Sequence, residues 1–166
     1  LEGSTVFAHA RSIEVPGLGM FDVYPNRNSL TYETLYGLET SQTLLRGTLR
    51  RNGYCKAWNL LVALGFTESH QKGAWTTVGD WFFDHTGCRN TKEWAALLES
   101  DSKTKDLARY VQFLRLDEGA LDLVVSGKTS AQLLESILLD RWKLEERDRD
   151  EVVMVHKVDL LNGNDQ

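Results

Sequence analysis

The chain has 166 residues, of which 42% are hydrophobic, and its five Trp, five Tyr and six Phe supply bulk for a core. This length and composition predict a single folded domain over residues 1–166 and argue against disorder. The formal net charge of −5 argues against nucleic acid as a partner, because a nucleic-acid surface needs basic groups that displace counterions. The lack of an apolar run of about 18 residues argues against a membrane partner.

The beginning of the chain favours β-structure. Residues 4–15 mix β-branched and apolar side chains and predict a strand, and residues 20–24 predict a second, shorter one. Pro16-Gly17 between them is a turn signal. The polar residues 25–29 are expected to form a loop.

Residues 43–50 form the clearest predicted strand, which Asn52-Gly53 ends with a turn. Successive side chains of a strand point to opposite faces. Arg46, Thr48 and Arg50 are therefore expected on one face, with the side chain of Leu49 on the other.

Helical spacing of apolar residues dominates the second half of the chain. It predicts helices over residues 54–64, 91–98, 103–114 and 130–142. Gly65 stands where the first of these needs a C-cap glycine. Capping boxes are expected from Asn90 with Glu93 and from Thr129 with Gln132, because these pairs have the required spacing.

The C-terminal part begins with a dense charge run over residues 143–151, which predicts a solvated turn. Residues 152–158 then predict a strand, and residues 162–166 a frayed end. The order of strands, a strand–helix pair, helices and a last strand indicates an α+β fold. We expect a mixed β-sheet packed with helices on one face, and no Rossmann domain.

Cofactor and metal motifs are weak. Gly17-Leu18-Gly19 begins like a dinucleotide fingerprint, but Asp22 occupies the position of the third glycine and a strand follows instead of a helix. The four histidines are scattered without metal-ligand spacing. If Asp84 and His85 lie on a strand, their side chains point to opposite faces and cannot bind one metal ion together. We therefore expect this chain to bind no cofactor and no metal.

The two cysteines, Cys55 and Cys88, have no metal-type spacing. Cys55 lies near the start of an apolar helix and is expected to be packed rather than nucleophilic. Residues 1–5 lack the features of a secretory signal. These observations favour a reducing, cytoplasmic location. The sequence also allows a single disulfide between Cys55 and Cys88.

The arginines are the best candidates for a binding site. Arg27 lies in the loop, and Arg46 and Arg50 share a strand face with the Thr48 hydroxyl. A guanidinium binds a carboxylate through two parallel hydrogen bonds, so this pattern suits an amino-acid carboxylate or a dicarboxylate. The alternative is ion pairing with some of the chain's 24 Asp and Glu residues.

Two motifs carry a resemblance to a known family. The sequence YPNRNSL at residues 24–30, followed by LRGTLR at residues 45–50, resembles the paired YPNRDS and RGTLR motifs of saccharopine dehydrogenases. Residues 53–66 are similar to the helix that follows in that family, and residues 146–157 to its ERD…HK segment. Asn28 stands where the family usually has Asp.

The resemblance implies a fold and an activity. Saccharopine dehydrogenases interconvert saccharopine with glutamate and 2-aminoadipate semialdehyde, using NAD or NADP bound by a Rossmann domain. A second domain like this one binds the substrate and forms a homodimer. The implied substrate-binding residues are Arg27, Thr48, Leu49 and Arg50. No catalytic acid or base is assigned, although Glu146, His156 and Lys157 are available.

Because the Rossmann halves are not in this sequence, we expect the chain alone to be inactive and to bind no NAD or NADP itself. Three alternatives stay open. A close variant is the corresponding domain of a carboxynorspermidine dehydrogenase-type enzyme, which acts on carboxylated polyamines and shares this domain architecture, although Arg27 together with Arg50 favours saccharopine. It also fits a non-catalytic module for amino-acid binding or dimerisation, or an interaction domain whose arginines are merely ion-paired.

Overall fold

A computed structural model describes residues 5–26, 29–70, 73–100, 124–125 and 127–159. Arg27, the helix predicted over residues 103–114 and the frayed end predicted over residues 162–166 lie outside these ranges. Within them, the chain forms a three-stranded sheet and five α-helices. This is the α+β composition that the sequence predicts.

The sheet consists of β1 (Arg11–Val15), β2 (Gly19–Pro25) and β3 (Gly47–Arg51), in the order β1-β2-β3. Both pairings are antiparallel, so the prediction of a mixed sheet is wrong for the described residues. The strand predicted over residues 152–158 is also absent. Those residues form no ladder with the sheet, and most of them are exposed.

The first and third predicted strands are shorter than expected. Phe7–His9 forms a 3₁₀-helix, and the first strand begins only at Arg11. The third begins at Gly47 rather than at residue 43, because its ladder partner there is Pro25, which ends β2 and has no N–H to donate. One further backbone bond, from Asn26 N–H to the Arg46 carbonyl (3.1 Å), extends the pairing beyond the ladder.

The helices are α1 (Thr31–Leu35), α2 (Tyr54–Ala63), α3 (Val78–Thr86), α4 (Thr91–Ser100) and α5 (Ser130–Arg141). The predictions of α2, α4 and α5 are confirmed. Gly65, at φ +80°, ends α2 as expected, since its N–H and that of Phe66 bond to carbonyls of the last turn. The sequence reasoning missed α1 and α3.

Helix capping explains where α3 and α5 begin. The Thr129–Gln132 capping box of α5 is present as predicted, and Thr77 with Asp80 forms an equivalent box for α3. The box predicted for α4 is only half formed. Asn90 Oδ1 accepts the Glu93 N–H (3.0 Å), but the Glu93 carboxylate bonds to Arg89 instead.

The core is built mainly from helices. Its most buried members are Trp81 and Phe82 of α3, Leu133 of α5 and Phe66 after α2. A buried hydrogen bond from Trp81 Nε1 to Ser130 Oγ (2.8 Å) joins α3 to α5. This helical core supports α2, whose first turn faces the sheet.

Replacing Thr77 by alanine is expected to lower the free energy of unfolding by about 1 kcal/mol. The Thr77 hydroxyl accepts the Asp80 N–H (3.0 Å) at the start of α3, and alanine leaves that donor without its cap. Urea denaturation measures the loss. Thr40→Ala, in an exposed turn, is the matched control, and an equal loss in both variants would contradict the capping role.

Candidate functional site

The candidate site lies on the face of the sheet that α2 covers. The register pairs Asp22 with Arg50 and Tyr24 with Thr48, and directly paired residues share a face. Thr48 and Arg50 therefore point to the same side, as the alternation predicts. Leu49 pairs with Val23 and points its side chain to the opposite face.

Arg50 is exposed at the end of β3. Its Nη1 donates to the Leu49 carbonyl (3.0 Å), and its Cζ lies 5.5 Å from the centroid of the Tyr54 ring. Within the described ranges, none of the ion pairs involves Arg50. Because no described carboxylate pairs with it, the guanidinium presents donors that an anionic ligand can use.

Asp22 anchors the turn between β3 and α2. Its carboxylate is buried, with 5% of the residue exposed. Oδ2 accepts the backbone N–H groups of Gly53 and Cys55, both at 3.0 Å. Gly53 has φ +94°, a conformation that glycine adopts without steric cost. The residue that breaks the dinucleotide fingerprint is thus a structural cap for the first turn of α2.

Four rings form an aromatic floor beside Arg50. They are Phe7, Tyr24, Tyr54 and Trp58. The Tyr24 and Tyr54 rings are nearly parallel (9°), with centroids 6.5 Å apart. The sequence reasoning missed this cluster because its members come from a 3₁₀-helix, a strand and a helix. Only the spacing of Tyr54 and Trp58, on one stripe of α2, signals it.

Arg46 does not join Arg50. It precedes β3, and its Cζ stacks 4.3 Å from the centroid of the Tyr32 ring. The prediction that Arg46 shares the strand face is wrong, because the strand begins one residue later. Arg46 and Arg50 are four residue steps apart, which is about 13 Å along an extended chain.

Arg51, the neighbour of Arg50, forms an internal ion pair. It pairs with Glu151 and stacks over the Phe21 ring, 4.9 Å from its centroid. It also lies on the face opposite Arg50, since it pairs with Phe21. The alternative interpretation, in which arginines only form internal ion pairs, therefore holds for Arg51. Arg50 lies on the other face of the sheet and forms no ion pair with a described carboxylate.

Arg27 lies outside the described residues, so its convergence with Arg50 stays a prediction. The three candidates for an acid or base lie in the exposed C-terminal part of the chain. They are Glu146, His156 and Lys157. Lys157 pairs with Asp159 at 3.1 Å. The structure gives none of the three a contact with Thr48 or Arg50 among the described residues.

Both thiols are free and buried, so the described structure contains no disulfide between them. Burial raises the pKa of the Cys55 thiol to about 11, with Asp22 adding to the shift and Arg50 opposing it. A thiol with that pKa is protonated at neutral pH and is a poor nucleophile. Packing, as predicted, is the role of Cys55.

His85 belongs to a second polar cluster. It lies on α3, so the assumption that Asp84 and His85 diverge on a strand is wrong. Its Nδ1 lies 2.9 Å from the Trp81 carbonyl, and its Nε2 lies 3.1 Å from Ser130 Oγ. Because a carbonyl only accepts, Nδ1 carries the proton, and Nε2 can accept from Ser130. The cluster satisfies its own polar groups and joins two core helices.

The described residues contain neither a candidate metal centre nor a membrane-spanning helix. No group of three or more His, Cys, Asp or Glu side chains there is placed to hold a metal ion. None of the helices in the described part of the chain is long and apolar enough to cross a bilayer.

The fold matches that of a solved enzyme. The structure of apo histidine-tagged saccharopine dehydrogenase (L-Glu forming) from Saccharomyces cerevisiae superposes with a TM-score of 0.67 over 85% of this chain and 34% of that one, at 19% identity. This chain therefore has the fold of one part of that dehydrogenase. A sequence profile of the saccharopine dehydrogenase C-terminal domain matches residues 1–166. The chain therefore belongs to the saccharopine dehydrogenase C-terminal domain family.

Curated relatives agree with this assignment. The mitochondrial alpha-aminoadipic semialdehyde synthase of Mus musculus is 54% identical over 50 residues, which cover 30% of this chain and 5% of that protein. The saccharopine dehydrogenase [NADP(+), L-glutamate-forming] of Saccharomyces cerevisiae is 25% identical over 146 residues, which cover 82% of this chain and 33% of the enzyme. The chain thus spans a third or less of these relatives.

Proposed function

We propose that this chain is the substrate-binding domain of an enzyme that interconverts saccharopine with glutamate and 2-aminoadipate semialdehyde. The observation that carries the proposal is the exposed Arg50 guanidinium, which shares a face with the Thr48 hydroxyl and has no carboxylate partner among the described residues. Family membership supplies the substrate class, since the relatives are saccharopine dehydrogenases and alpha-aminoadipic semialdehyde synthases.

In this proposal Arg50 binds a substrate carboxylate through two parallel hydrogen bonds. Thr48 lies two residues away on the same face and adds a hydroxyl contact. Leu49 contributes only backbone, because its side chain points to the other face. Desolvation between the aromatic floor and the ligand strengthens the charged contacts.

The proposed ligand carries several acidic groups. By the family resemblance Arg27 and Arg50 both bind substrate, and a ligand held by two guanidiniums needs a separate carboxylate for each. Saccharopine, with a carboxylate at each end of a long chain, meets this requirement.

NAD or NADP is proposed to bind elsewhere in the enzyme. The residues that begin like a fingerprint do not fit a pyrophosphate here, because Gly17 lies in the turn between β1 and β2 and Gly19 begins β2 instead of leading into a helix. Asp22 is committed to the α2 cap. Hydride transfer is the cofactor's chemistry, so this domain's part is to bind and orient the substrate. The homodimer stays a prediction from the family resemblance.

The test compares two adjacent arginines in the intact enzyme that carries this domain. Arg50→Ala is expected to raise the KM for saccharopine at least about tenfold, because it removes a charged contact to a carboxylate. Arg51→Ala is the matched control, since Arg51 is paired with Glu151 on the opposite face. Steady-state kinetics with saturating cofactor measures both, and equal KM values for the two variants would reject the proposal.

A further inference from the structure

Tyr54 lies where it can restrict the position of the Arg50 guanidinium. It is the first residue of α2, and its ring lies under the Arg50 guanidinium at 5.5 Å from centroid to Cζ. A guanidinium within about 6 Å of an aromatic face is attracted by the negative face of the ring. Arg50 also donates to the Leu49 carbonyl. Two contacts therefore restrict an otherwise exposed side chain.

The Tyr54 ring is itself fixed on several sides. Its neighbours in the aromatic floor are Tyr24, Phe7 and Trp58, with ring centroids 6.5, 6.2 and 6.0 Å away. The backbone on either side of Tyr54 is held by the two hydrogen bonds from Gly53 and Cys55 to buried Asp22. These contacts restrict the movement of the Tyr54 ring.

We propose that Tyr54 is a positioning residue that holds the Arg50 guanidinium ready for a substrate carboxylate. This inference rests on the proposed function, since it assigns Arg50 to substrate binding. An arginine side chain loses rotamer entropy when it is immobilised. A ring that restricts the guanidinium before binding reduces that cost at the moment of binding.

The chemistry of the Tyr54 hydroxyl agrees with this role. Burial raises the pKa of Tyr54 above its ordinary value, and the neighbouring Arg50 partly offsets the shift. The phenol therefore stays neutral at physiological pH. A neutral ring keeps the guanidinium charge available, whereas a phenolate would pair with it and compete with the substrate.

The test uses three variants of the intact enzyme and measures the saccharopine KM and kcat separately. Tyr54→Leu removes the ring, and we expect KM to rise about three- to tenfold, the range that a cation–π contact supports. Tyr54→Phe keeps the ring but loses the hydroxyl that hydrogen-bonds Arg50, and it is expected to raise KM less than Tyr54→Leu. Tyr36→Leu, at an exposed tyrosine that stacks only on Tyr32 among the described rings, is the control and is expected to leave KM unchanged.

A double-mutant cycle separates positioning from loss of folding. If Tyr54 acts through Arg50, Tyr54→Leu raises KM in the wild-type background but not in the Arg50→Ala background. Equal increases in both backgrounds would overturn the positioning role while leaving Arg50 in the site. If Arg50→Ala alone does not change KM, the proposed function fails instead, so the two failures are distinguishable.

Discussion

Replacing Asp22 by alanine is expected to lower the free energy of unfolding by about 4 kcal/mol. The buried carboxylate accepts two backbone N–H groups, from Gly53 and Cys55, at 3.0 Å each. Leaving a buried donor unsatisfied costs about 1–3 kcal/mol, and more where the lost partner is charged. Alanine leaves both donors unpaired and also removes the side chain that caps the first turn of α2.

Urea denaturation of the chain measures this loss. Glu14→Ala is the matched control, because Glu14 is an exposed acid on the neighbouring strand β1. Asp22→Asn separates charge from hydrogen bonding, since the amide oxygen still accepts. We expect it to lose about half as much as Asp22→Ala. An Asp22→Ala variant as stable as Glu14→Ala would show that the carboxylate does not support the α2 turn.

The local elements were predictable because their signals are local. Gly65 ends α2, and the Thr129–Gln132 box begins α5, each within a few residues of the sequence position that predicts it. Helix α3 was missed because its box uses Asp80 where the usual pattern has Glu or Gln. Its apolar residues also cluster in adjacent positions rather than at regular helical spacing.

The limits of the strands depend on partners that periodicity does not show. Residues 43–46 alternate like a strand, but pairing stops where Pro25 ends β2. At Gly47 a Cβ would lie 2.6 Å from Val23 Cγ1, so glycine is needed where the strands approach. Residues 152–158 have strand composition, yet they form no ladder with the sheet and most of them are exposed. β-Propensity reflects packing on a half-buried sheet surface, so composition alone does not make a strand there.

Only part of the candidate site was predictable, because the site also depends on strand pairing that periodicity does not show. Alternation placed Thr48 and Arg50 together, but it also placed Arg46 there, and the predicted strand ended before Arg51. The ion pair of Arg51 depends on contacts that only the structure shows, since Arg51 lies over Phe21 and beside Glu151. The aromatic floor under Arg50 needs three elements to meet, so only the structure reveals it.

Replacing Arg27 by alanine in the intact enzyme is expected to raise the KM for saccharopine about 30- to 1000-fold, the equivalent of about 2–4 kcal/mol. Arg27 belongs to the YPNRNS motif of residues 24–29. By the family resemblance, this motif supplies a contact to a substrate carboxylate, and a guanidinium makes that contact through two parallel hydrogen bonds.

The KM for NAD or NADP is expected to stay nearly unchanged, because the proposal places the cofactor on another domain. Arg27→Lys is expected to fall between the wild type and Arg27→Ala, since an ammonium keeps the charge but loses the two parallel hydrogen bonds. Arg11→Ala, at an exposed arginine on the face opposite Arg50, is the matched control. If saccharopine kinetics are the same for Arg27→Ala as for Arg11→Ala, Arg27 does not bind the substrate, and Arg50 would have to act with a different cation.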